Sequence, residues 1–127
     1  MASFMGNPIM NVTQTTANFF EFVVEYTMQY SQTELGFPEG FAHSLALRES
    51  DDGEIFGGGD DDLINIRVET FRPTSRFETR TFTFSASAER LGTESGGEEI
   101  YAVVHHRRNI DGVASQTRRT AIFPFAV

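Results

Sequence analysis

The 127-residue chain has no cysteine, which excludes disulfides, thiol nucleophiles and cysteine-ligated zinc. Lysine is also absent. All ten basic residues are arginine, the side chain suited to forked, interface-grade ion pairs. No apolar run approaches the roughly 20 residues that a helix needs to cross a bilayer, so no membrane span is expected. Positive charge is scarce: 18 acids against 10 arginines give a net charge of −8. A dedicated nucleic-acid binder presents a basic face, so nucleic acid is disfavoured as a partner. Residues 1–18 carry no charge at all. They lack the basic start and the continuous apolar stretch of a secretory leader, so synthesis in the cytoplasm is expected.

What is present is strand-forming material. There are 13 phenylalanines and 13 threonines, and apolar residues make up 39% of the chain. That is enough to bury one core, and the length suits one domain. Alternation of apolar and polar residues predicts strands. Phe20, Phe22, Val24, Tyr26, Met28 and Tyr30 share one face of the first. Phe41, His43, Leu45 and Leu47 share a face of the next, and Ile64, Ile66 and Val68 of a third. Phe82, Phe84 and Ala86 continue the pattern, and two strands follow over residues 99–108 and 114–123. A seventh is expected over residues 11–16. Residues 32–40, with Gly36, Pro38 and Gly40, read as a loop, as do residues 50–61 and 89–97. The expected fold is an all-β antiparallel sandwich or small barrel of six to seven strands. An uncharged N-terminal arm over residues 1–18 precedes the single β domain of residues 19–127. The arm is expected to pack on its own domain or on a neighbouring subunit.

The charge is unevenly placed. Residues 1–62 hold 11 acids and only Arg48, or −10, whereas residues 63–127 sum to +2. Six acids crowd one loop: Asp51, Asp52, Glu54, Asp60, Asp61 and Asp62. Closely spaced carboxylates suit Ca²⁺, so this loop is a candidate metal site, although it does not match the EF-hand pattern. A solvated loop or an acidic docking surface reads the same residues. No other cofactor is implied. The neighbours His105 and His106 point to opposite faces of a strand and cannot chelate one ion together. His43 with one of them and a carboxylate would be a minimal metal site. No nucleophile motif, zinc-protease motif or phosphate loop is present, and no enzyme is expected.

Asp111-Gly112 marks a hairpin turn. Pairing outward from it sets Arg108 opposite Ser115, His106 opposite Thr117 and Val104 opposite Arg119. In that register the base of the hairpin is apolar and its outer half is polar on both faces. Residues 105–119 are therefore expected to project as a basic ribbon, with His105, Arg107, Arg108, Arg118 and Arg119 as candidate partner-binding residues. The expected function is that of a structural or interaction subunit of a larger, self-assembling complex, docking basic hairpin on acidic loop. Its partners would be copies of the chain or neighbours in the assembly. By architecture such a chain is similar to subunits of virus and phage particles. The alternative expectation is a Ca²⁺-dependent or small-ligand-binding β module.

Overall fold

A computed structural model describes residues 2–49, 61–87, 98–111, 114–121 and 123–125. The chain runs β1 (Ser3–Phe4), β2 (Ile9–Thr16), β3 (Phe19–Gln29), α1 (Gln32–Leu35), β4 (Phe41–Glu49), β5 (Asp61–Phe71), β6 (Phe77–Ser87), β7 (Glu98–Arg108), β8 (Ala114–Arg119) and β9 (Phe123–Phe125). Two antiparallel sheets result. In the first, β3 lies between β6 on one edge and β1 with β2 on the other. The second has the order β5-β4-β7-β8, with β9 pairing the start of β7.

Alternation along the strands builds one core from both sheets. Phe22, Val24, Tyr26 and Met28 of β3 point inward, with Phe82 and Ala86 of β6. Leu45 and Leu47 of β4 meet them from the second sheet, with Ile100, Ala102 and Val104 of β7. Phe22 stacks on Phe84 at 5.1 Å. The uncharged N-terminal segment belongs to the first sheet: Phe4 pairs with Met28, and residues 9–16 pair along β3.

Four expectations are corrected. Residues 32–40 are not all loop. Ser31 caps the single turn α1 by accepting from the Glu34 amide, while the Glu34 side chain accepts from the Ser31 amide. Val68 is not in the core but 47% exposed. A bulge between His43 and Leu45 sets two residues of β5 against Ser44, so the inward face passes from Ile64 and Ile66 to Glu69 and Phe71. The register of the last hairpin is shifted by one: His105 pairs with Thr117, Val104 with Arg118 and Val103 with Arg119. Finally, the ribbon does not stand clear of the sheet. Along β7, residues 100–108 pair with β4, from Glu49↔Ile100 to Phe41↔Arg108. The ribbon was read as polar on both faces from its four arginines and two histidines, but one of these, His106, is 1% exposed and faces inward.

Gly40 closes the approach to β4 with φ of +65°. A Cβ there would lie 2.2 Å from the Phe71 carbonyl oxygen. Only glycine fits. The Asn109 amide and side chain then tie the end of β7 to this corner by donating to the carbonyls of Gly40 and Glu39.

Candidate functional site

Two places collect polar side chains, one inside the fold and one on its surface. The inner one starts from the pairing of His43 on β4 with His106 on β7, which sets both rings side by side facing inward. Tyr26 on β3 and Tyr30, just past its end and an even number of residues on, continue that strand's inward face and reach across from the opposite sheet. The Tyr26 hydroxyl bonds His43 Nδ1, and the Tyr30 hydroxyl lies 3.0 Å from His106 Nε2. Phe41 and Phe71 flank His106 at centroid distances of 5.1 and 5.8 Å. Buried polar groups are tolerated when they hydrogen-bond, and these four bind the sheets to each other.

Electrostatics keep this layer neutral. Burial pushes the His106 pKa down to about 4, assisted by His43 beside it. Burial also lowers His43, against the pull of Glu69, whose exposed carboxylate lies 3.5 Å from Nε2. Both phenols are pushed well above the ordinary tyrosine range by burial. His106 Nδ1 has no hydrogen-bond partner among the described residues. With both rings nearly sealed from solvent, the layer has the geometry of a cross-sheet clamp. Near it, burial would raise the Glu34 carboxyl, but hydrogen bonds from Ser31 and the Ala2 amide hold it below the usual carboxylate range.

The outer place is the solvent face of the second sheet. His105 and Arg107 stand on it from β7, and Thr117 and Arg119 from β8. His105 Nδ1 is 3.1 Å from the Thr117 hydroxyl. A hollow of about 280 Å³ opens between Ser44, Val68, His105, Arg107 and Thr117. Small side chains at Ala42, Ser44 and Ala46 of β4 keep its floor low. Arg119 lies over the Tyr101 ring at 5.2 Å, a cation–π contact that the one-residue register shift makes geometrically available.

Of the five basic residues singled out from sequence, the structure thus brings His105, Arg107 and Arg119 onto one face. Arg118 is opposite Val104 and lines a separate hollow with Asn7, Pro8 and Ile9. Arg108 is engaged in its own turn, 2.6 Å from Asp111. Of the candidate metal ligands, Asp51, Asp52, Glu54 and Asp60 lie outside the described residues. Asp61 and Asp62 open β5, in register with Glu49 and Arg48. Among the described residues no three His, Asp or Glu side chains come together as a metal site. His43 and His106 do meet, but each bonds a phenol, and with Glu69 3.5 Å from His43 Nε2 they still do not form a group that could hold a metal ion.

The Tyr–His layer was missed as a unit, although its signal was present. Tyr26, Tyr30 and His43 all fall on faces that alternation marks as buried; only His106 was assigned to the wrong environment. Compared with models of known protein families and with curated proteins, the chain matches none of them. No helix among the described residues is long and apolar enough to cross a membrane.

Proposed function

We propose that the chain is a non-enzymatic structural subunit, a β-sandwich that joins copies of itself or neighbouring subunits into a ring or filament. One observation carries this reading. The side chains best suited to chemistry, His43, His106, Tyr26 and Tyr30, close on one another in the interior, whereas His105, Arg107 and Arg119 are spent on an exposed face. Exposed cations on a chain of net charge −8 favour an acidic partner. The −10 borne by residues 1–62 makes a second copy a suitable one. Contacts between unlike surfaces close into rings or run on as filaments.

Sedimentation velocity of the purified chain over a concentration series, at low and at high salt, tests the proposal. Exposed ion pairs are screened beyond about 10 Å at 0.1 M salt. Oligomers that dissociate as salt rises are the expected result. A monomer at every concentration and both salts would overturn it.

A further inference from the structure

The outward faces of the two sheets differ in sign. On the first sheet, the outer side of β3 carries Glu21, Val23, Glu25 and Thr27. Its neighbours there are hydroxyls: Thr83 and Ser85 of β6 pair with Val23 and Glu21, and Thr13 of β2 pairs with Glu21 from the other edge. Arg80 is the only basic residue in β2, β3 and β6. It is turned to the inner side, with its guanidinium 3.7 Å from the Phe71 ring centroid and bonded to Glu78. This face is therefore acidic at Glu21 and Glu25, bordered by hydroxyls and by the exposed apolar side chains of Ile9, Phe19 and Phe77. The face bearing Arg107, His105 and Arg119 is basic.

Spacing matches as well as sign. Glu21 and Glu25 are four residues apart on one strand, about 13 Å at the rise of an extended chain. Arg119 is opposite Val103, so Arg107 lies four residues along and one strand over, about 14 Å away. Between the two carboxylates stands the small apolar Val23. Between the two arginines stand His105 and Thr117, 3.1 Å apart, with the low floor of Ser44 and Ala46 to the β4 side of them. On the β6 side the two carboxylates are flanked by Thr81, Thr83 and Ser85, and on the β2 side exposed Ile9 stands beside Glu25.

We propose that one copy seats the outer face of its β2-β3-β6 sheet on the β4-β7-β8 face of the next. Glu21 and Glu25 then meet Arg107 and Arg119, and Val23 lies over the His105–Thr117 pair. The proposal rests on the assembly reading above and deepens it by naming the two surfaces. Because they are unlike, a joined pair keeps one of each free, and the contact propagates or closes into a ring.

Two double variants test it. Glu21→Arg with Glu25→Arg makes both faces basic; Arg107→Glu with Arg119→Glu makes both acidic. Each alone should sediment as a monomer under conditions where the wild type assembles, with association weakened at least about tenfold. An equimolar mixture should recover the wild-type size, since every contact then pairs unlike charges again. Folding of each variant is checked by thermal melting. Should a reversal unfold the chain, Glu21→Gln with Glu25→Gln is expected to weaken association in the same direction, by less than the reversal, and an unchanged association would overturn the face assignment. Wild-type assembly left unchanged by the reversals would overturn the face assignment and leave the assembly reading standing. Variants that dissociate but do not recover on mixing would also overturn it. A wild type that stays monomeric would overturn both readings.

Discussion

Tyr30 and His106 meet across the two sheets, the phenol oxygen 3.0 Å from Nε2 of an imidazole that is almost fully buried. Beside them Tyr26 and His43 make the same kind of contact. The two bonds form a polar seam through the apolar core, and the stability of the fold depends on their staying neutral.

That dependence has a direction in pH. A histidine in the unfolded chain titrates near 6.5, whereas His106 in the fold is held at about 4. Between these values the unfolded chain takes up a proton that the folded chain refuses. Stability should therefore be fully present above about pH 6.5 and fall towards pH 4, by about 3 kcal/mol for this residue. His43 is shifted in the same direction. Urea denaturation across this range measures the slope. His106→Leu should lower stability overall, by orphaning the Tyr30 hydroxyl, yet make the slope shallower.

Phe22 is completely buried and stacked on Phe84. Phe22→Ala should cost about 3–5 kcal/mol, since the lost contacts leave a cavity between two sheets that cannot close over it. Chemical denaturation of the variant against wild type gives the number.

The bulge in β5 makes a comparison between two valines' worth of sequence. Ile64 is on the core side of it and Val68 has been thrown outward. Val68→Thr should change stability by no more than about 0.5 kcal/mol. Ile64→Thr should cost more than about 1 kcal/mol, because it places a hydroxyl in the core. Equal costs would return Val68 to the core and remove the bulge.

Gly40→Ala should destabilise by more than about 1–3 kcal/mol, from backbone strain at positive φ together with the collision with the Phe71 carbonyl. The melting temperature reports it. Because Gly40 also accepts from Asn109, the end of β7 should lose amide-exchange protection in the same variant.

Strand positions and most strand faces were legible in the sequence because alternation survives wherever pairing is regular. β3 pairs with β6 for eleven residues without a shift, and Phe20 to Tyr30 fall inward as the pattern says. Legibility failed at irregularities. The β5 bulge leaves no local mark, since its extra residue is defined only by a partner strand distant in sequence. The hairpin was misread for a related reason. Its register was taken from Asp111-Gly112 alone, whereas the pairing of β7 with β8 is itself irregular between His106 and Arg107. The clamp was half legible: Tyr26, Tyr30 and His43 sit at inward positions, but only the fold reveals that each histidine finds a phenol. The cap of α1 was written openly as Ser31-Gln32-Thr33-Glu34, and was hidden by the glycines and proline that follow it.

The absence of cysteine allows the most direct test of the central claim, that copies join through unlike faces. Val23→Cys places a single thiol on the acidic face and Thr117→Cys a single thiol on the basic one. Mixed under mild oxidation, the two variants should form the Val23–Thr117 cross-linked heterodimer, resolved by mass spectrometry, in clear excess over either homodimer. Homodimers alone, or no cross-link at concentrations where the wild type assembles, would contradict the account.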